Sequence, residues 1–307
     1  MKDKAENLVV LGCGYVGCAV ARSWLARGGR VWAVSRNAET LASVVDPRFH
    51  PIVAEVDGEE WHSRVPAEDV VILNCVAAAG GGVEGYRKSY LGGNRSLVRW
   101  ARGARPGRIV YTGSTAVYPF SDGREVFEDD AGGDLSETGE IVLESERILF
   151  GDEANAGRTT VLRLAGIYGP GRHYLLDGLR EGKRVFPGRG DVYVNLVHRD
   201  DIVGGVETVL ANPATGGRAY NLSDGHPVRK EEMVRWLAER LGLPAPTFDP
   251  EAQGRRMRIN SSGAPPNRRV RIDRIREETG WRPRVADFRR GFEAILGGET
   301  NRGSEAS

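Results

Sequence analysis

Residues 8–27 read "LVVLGCGYVGCAVARSWLAR", and the six at the centre, Gly12-Cys13-Gly14-Tyr15-Val16-Gly17, decide how the rest of the chain is read. Four apolar residues run into a glycine-rich turn, and an apolar-periodic stretch leaves it. That order predicts strand, turn and helix. Each glycine then has a task. Gly12 allows the tight turn off the strand, Gly14 lets the backbone approach a pyrophosphate, and Gly17 permits close packing of helix on strand. The helix beginning near Tyr15 and Val16 aims free N–H groups and the positive end of its dipole at the phosphates.

The pattern continues outward. "RVWAV" (30–34), "FHPIVA" (49–54), "DVVILN" (69–74) and "RIVYTG" (108–113) are short and nearly continuously apolar, as parallel strands buried on both faces are. Helix candidates at 16–27, 37–45 and 86–102 alternate with them, and "TVLRLAGIYGP" (160–170) adds a sixth strand. Alternation of this kind predicts a Rossmann-type, doubly wound α/β sheet. After residue 170 the rhythm changes to shorter, mixed elements. "YLLDGLREGK" and "KEEMVRWLAERLGL" read as helices, "VYVNLVH" and "RAYNLS" as short strands. The expected organisation is a dinucleotide-binding domain over 1–170 and a smaller mixed α/β substrate region over 171–295, interleaved with the first. A disordered tail is expected over 296–307.

The end of the second strand bears on the choice of dinucleotide. A site for NAD normally places Asp or Glu there to hold the ribose 2′-hydroxyl; this chain has Ser35 followed by Arg36. A hydroxyl and a guanidinium suit a 2′-phosphate, so NADP(H) is favoured over NAD(H). Small residues after the fourth strand, Ala77 among them, permit close approach of a ligand to the backbone.

Composition narrows the class. The chain has 307 residues and a net charge of +1, giving no overall electrostatic bias toward nucleic acid or a membrane surface. No apolar run reaches the ~18 residues of a membrane span, and "MKDKAEN" lacks the apolar segment of a signal peptide. Cys13, Cys18 and Cys75 form neither a metal-ligand spacing nor a disulfide framework. A cytoplasmic, reduced protein is the expectation, with neither nucleic acid nor membrane as partner and no bound metal.

Several stretches together resemble the extended and atypical short-chain dehydrogenases/reductases, specifically the sugar-nucleotide epimerase/dehydratase group. They are the glycine loop with "RVWAVSRN", "VYTGSTAVYP" (110–119), "VLRLAGIYGPGR" (161–172), "VNLVHRDDIV" (194–203) and "YNLSDGHPV" (220–228). The resemblance implies an NAD(P)-dependent oxidoreductase or epimerase/dehydratase acting on a small carbonyl or nucleotide-linked substrate. It also implies that the segment after the fourth strand, Ala77 included, passes beneath the cofactor. Family members with known chemistry use a Ser/Thr and a Tyr with a Lys four residues beyond it. Ser114 in "TGSTAVY" matches the first. Aligned through Leu143, Glu144 and Glu146 of "SETGEIVLESERILF" (136–150), the tyrosine position holds Thr138 and the lysine position Val142. The Tyr-Lys pair is absent, and neither substitute can tune a proton near neutrality.

Three places offer a replacement. Tyr118, beyond Ser114, can act as an acid or pack as an aromatic. His198 can act as acid or base, or serve structurally, with Asp200 and Asp201 capping the helix that follows. Tyr86, Arg87 and Tyr90 open a helix after the fourth strand and either reach the pocket or pack on the helix surface. Seven arginines between Arg255 and Arg274 suit a diphosphate, as the resemblance implies, or form a solvated charged face. Family members also pair through a four-helix contact, and "GEIVLESERIL" (139–149) is the segment expected to contribute to a homodimer. The competing class is a non-catalytic NADP(H) sensor.

Overall fold

The computed structural model describes residues 7–78, 81–252 and 263–304. In chain order, β1 (Asn7–Leu11), α1 (Tyr15–Ala26), β2 (Arg30–Ser35), α2 (Ala38–Ala42), β3 (Phe49–Val53) and β4 (Val70–Asn74) come first. α3 (Gly82–Tyr86), a π-helical segment (Arg87–Gly92) and α4 (Gly93–Ala104) make the long connection to β5 (Arg108–Ser114). Then follow β6 (Glu125–Val126), α5 (Glu137–Phe150), β7 (Thr159–Leu164), β8 (Gly166–Tyr168), α6 (Tyr174–Arg180), β9 (Val185–Pro187), β10 (Tyr193–Val194) and β11 (Leu196–His198). The chain closes with α7 (Arg199–Ala211), β12 (Arg218–Leu222), α8 (Lys230–Arg240), α9 (Asp273–Thr279) and α10 (Phe288–Ser304), apart from short strands not labelled.

Seven strands form one parallel sheet in the order β12-β7-β5-β4-β1-β2-β3. Alternation along β1 explains why both faces are covered. Leu8 and Val10 pack on one side with Val20, Trp24 and Leu25 of α1 and Ile202 and Val206 of α7. Val9 and Leu11 pack on the other with Leu97, Trp100 and Ala101 of α4 and Leu149 of α5. A third core joins α6, α8 and α10 through Leu175, Leu179, Met233, Leu237, Phe288 and Phe292. β2 and β3 lie on one side of β1, and β4 on the other. The C-terminal ends of β1 and β4 therefore frame the crevice where open α/β sheets take their ligands.

Two features differ from the sequence expectation. "RAYNLS", read as a short strand of the mixed C-terminal half, is β12, which pairs with β7 and completes the main sheet. The segment expected to be a disordered tail is helical through Ser304, continuing α10 beyond Phe292 and Ile295, which are buried in the third core. Residues 305–307 lie outside the described residues.

Candidate functional site

Gly12 turns the chain off β1 with φ +90°, and a Cβ there would lie 2.7 Å from the Val76 backbone. Gly17 is buried, and a Cβ on it would collide with the Gly12 carbonyl and meet Cys75 Sγ at 2.9 Å. Gly14 differs from both: it is exposed, lines the cleft, and a Cβ there would meet nothing within 4 Å. Only Gly14 therefore keeps open space facing the crevice. α1 carries no acidic residue in its first turn, so the positive end of its dipole is uncancelled where Tyr15 and Val16 line the cleft. An open glycine beside an uncompensated helix N-terminus fits a dinucleotide pyrophosphate.

The cleft, about 700 Å³, runs from the ends of β1, β2 and β3 past β4 to β5, β7 and β8. Besides the glycine loop, Ser35, Arg36, Ala77 and Ser114 all line it; Gly17 does not, consistent with its packing task. Near Arg36 lie two charges that the sequence reading missed. Glu55, just after β3, has a carboxylate oxygen 3.6 Å from Arg36 Nε and 3.5 Å from Lys88 Nζ. Lys88 arrives from the π-helical segment, which presents Lys88, Ser89 and Tyr90 to the cleft. π-helical turns often occur at functional sites, but no composition signal announces one.

At the other end of the cleft, Ser114 closes β5. Its Oγ accepts from the Ala116 N–H at 3.2 Å, which fixes the hydroxyl at the mouth of the strand. Val142 lines the same cleft from α5, so the position expected of a lysine is filled by an apolar side chain. Thr138, one turn earlier, does not line it; its Oγ1 lies 3.3 Å from the Ser136 hydroxyl, which caps α5. Tyr86 and Tyr90 line the cleft with ring centroids 5.1 Å apart, and Tyr86 packs on the cluster that contains Val142. Arg87 is turned away toward Glu84 and Glu137.

The other two catalytic candidates take structural positions. Tyr118 is 1% exposed; its hydroxyl donates to Asn221 Oδ1 at 2.6 Å and accepts from Arg163 Nη1 at 3.0 Å. Burial pushes its phenol up to about 12, so the reading of Tyr118 as an acid is corrected to a buried network member. His198 is also buried outside the cleft lining, and its Nδ1 accepts from the Asp200 N–H, capping α7. Burial lowers its pKa, and the cap ties up one ring nitrogen, so the acid–base reading of His198 is corrected as well. The capping expected of the aspartates thus falls to His198. Asp201 instead accepts from the backbone N–H groups of Arg284 and Val285. The Cys13 thiol is held strongly protonated by its hydrogen bond to Cys18 and by burial, which suits packing.

The arginine run is largely committed elsewhere. Arg268 donates to Thr115 O, Arg269 to Gly123 O, Arg271 to Asp273 and Arg274 to Asp129. None of these four lines the cleft, and Arg255, Arg256 and Arg258 lie outside the described residues. Arg172 does line it, stacked over the Tyr15 ring at 5.1 Å, while Tyr15 Oη donates to Pro170 O. The loop after β8 thereby leans on the glycine loop. His173, next in sequence, lines the cleft beside Tyr174. The glycines and prolines of "YGPGRH" announce a turn there, but nothing in the sequence says that the turn folds back over the cofactor loop.

The model of the NAD dependent epimerase/dehydratase family matches residues 8–223, which hold the glycine loop, Ser114 and all seven main strands. The chain belongs to the NAD dependent epimerase/dehydratase family. Membership supports an NAD(P)-dependent, oxidoreductase-like activity. Among curated proteins, Protein YeeZ of Escherichia coli (strain K12) is 30% identical over 257 residues, 79% of this chain and 86% of that protein. A 2-alkyl-3-oxoalkanoate reductase of Stenotrophomonas maltophilia (strain K279a) is 25% identical, over 77% of this chain and 76% of its own length. DesIV, a dTDP-glucose 4,6-dehydratase from Streptomyces venezuelae solved with NAD and TYD bound, superposes with a TM-score of 0.80 at 22% identity. That match covers 97% of this chain and 98% of the other. The epimerase/dehydratase fold is thus shared. Among the described residues no helix is long and apolar enough to cross a membrane, and no group of three His, Cys, Asp or Glu could hold a metal ion.

Proposed function

We propose that this family member is an NADP(H)-dependent oxidoreductase acting on a carbonyl or alcohol carbon, with Ser114 positioning the substrate oxygen. One observation carries the reading: a single cleft connects the open Gly14 and the Ser35–Arg36 pair to Ser114. Gly12, Gly14, Tyr15 and Val16 would hold the pyrophosphate, Ser35 and Arg36 the adenosine ribose, and Ala77 would underlie the dinucleotide. The bound dinucleotide supplies hydride transfer; the protein supplies binding and orientation. Ser114 contributes a fixed hydroxyl that hydrogen-bonds the reacting oxygen. Val142 offers no ammonium to tune a phenol, so the protein's own proton donor is weaker than in relatives that carry the pair. Arg36 and Lys88 converging on Glu55 favour the 2′-phosphorylated cofactor, since two cations face one carboxylate there.

Calorimetric titration with NADPH and NADH tests the reading. NADPH binding at least tenfold tighter, with turnover lost in Ser114→Ala and cofactor affinity retained, supports it. Binding of neither dinucleotide ends it. One observation favours a second reading, a non-catalytic redox sensor: an apolar Val142 faces the cleft where a proton relay is expected. That reading requires oligomeric state or partner affinity to differ between NADPH and NADP⁺, with no turnover on any carbonyl substrate.

A further inference from the structure

Beyond Ser114 the cleft lining includes six apolar residues, Val142, Leu164, Ala165, Ile167, Val194 and Leu196, together with Thr115 and Tyr174. Arg172, which precedes His173 and also lines the cleft, is stacked on Tyr15 of the glycine loop. None of the described members of the arginine run lines the cleft, and Arg268, Arg269, Arg271 and Arg274 each donate to a protein group. Against this apolar wall stands His173, 3% exposed, with both ring nitrogens shielded from solvent and without a hydrogen-bond partner among the described residues. Its ring is held edge-on by Tyr168 and Phe292, at centroid distances of 6.1 and 4.8 Å. Burial lowers its pKa to about 3, so it stands as a neutral imidazole with one donor and one acceptor. A buried polar side chain with no partner costs about 1–3 kcal/mol, and native structures rarely leave one so. A ligand group that completes its hydrogen bonding offsets that cost.

We propose that the far end of the cleft takes an uncharged carbonyl or hydroxyl compound with an apolar body, and that His173 recognises its polar group. A neutral imidazole in an apolar wall matches a ketone, ester or alcohol. The six apolar wall residues offer a nucleotide diphosphate no charge-assisted contact, whereas they match an apolar body. The proposal rests on reading the cleft as a joint cofactor and substrate site.

The test uses the full chain, titrated first with NADPH, then, in the presence of NADP⁺, with ethyl 3-oxo esters of increasing alkyl length and with UDP-glucose. Ester affinity is expected to rise roughly fourfold for each added methylene, while UDP-glucose stays weaker than the longest ester. His173→Leu should lower ester affinity at least tenfold with NADPH affinity unchanged, and His173→Gln should restore part of the loss. Affinity independent of chain length, or UDP-glucose binding more tightly than every ester, overturns the substrate class. Unchanged ester affinity in both His173 variants overturns the role of the histidine. Loss of NADPH binding in wild-type protein would instead fail the cofactor reading, so the two failures are separable.

Discussion

Glu146 of α5 and Arg163 of β7 form a buried, two-pronged ion pair: Nη2 lies 2.8 Å from Oε2 and Nε 3.1 Å from Oε1, at 2% and 6% side-chain exposure. The same guanidinium donates to the Tyr118 hydroxyl and to Glu128 O. One pair thus ties the helix carrying Val142 to the sheet carrying Ser114. Removing either partner alone leaves a buried charge unpaired. Glu146→Leu or Arg163→Met alone should each cost about 3–5 kcal/mol, and the double variant should recover much of that. Chemical denaturation of the two single variants and the double decides it; additive losses would show that the pair is not a coupled unit.

The glycine loop offers a contrast between two single methyl groups. Gly14→Ala should leave the melting temperature nearly unchanged but weaken dinucleotide binding at least tenfold, because its Cβ enters only the cleft. Gly17→Ala should lower stability first, since its Cβ collides with the Gly12 carbonyl. Calorimetric affinity and thermal melting on both variants should move in opposite patterns.

Glu55 holds both Arg36 and Lys88. A 2′-phosphate has to share those cations with the carboxylate, so Glu55→Gln is expected to tighten NADPH several-fold and change NADH little. Lys88→Gln should weaken NADPH selectively. All three side chains are about half exposed, so both effects should shrink as salt is raised. Equal changes for the two dinucleotides would place the pair away from the 2′-phosphate.

Asp224, 3% exposed, has its carboxyl pushed up to about 7, chiefly by burial, while the His226 N–H that it accepts opposes the shift. The folded chain keeps this proton to about pH 7, whereas the unfolded chain releases it near 4. The contribution to stability is therefore full below pH 4 and is lost as pH rises to 7, on the order of 4 kcal/mol in all. Asp224→Asn should match the wild type at pH 4 and melt higher at pH 8. A melting difference independent of pH would show that the carboxyl titrates normally.

The sequence made the sheet legible because the runs of β1 to β5 and β7 are short, mostly apolar and alternate with helical stretches, and the three loop glycines each have a distinct steric reason. β12 was legible as a strand but not its place in the main sheet, since a five-residue strand with one exposed end carries no mark of its partner. Ser35 and Arg36 were legible from their offset after the second predicted strand, and Ser114 from the family resemblance of "TGSTAVY". Glu55, Lys88 and His173 were not: each reaches the cleft through a turn or a π-helical segment whose direction depends on tertiary packing. Tyr118 and His198 have side chains suited to chemistry, and only burial and partners show that Asn221, Arg163 and the Asp200 N–H occupy them.

The pairing of β12 with β7 bears on how specificity could be transplanted between relatives. The stretch after residue 170, which supplies His173, Val194 and Leu196 to the cleft, does not hang from the nucleotide fold as a removable block, because the chain returns through α7 and β12 to finish the main sheet before leaving again. A chimera exchanged at a single junction after residue 170 would carry away the seventh strand and expose the edge of β7. A working graft needs two inserts, one before Leu196 and one after Leu222, with β11, α7 and β12 left as part of the host.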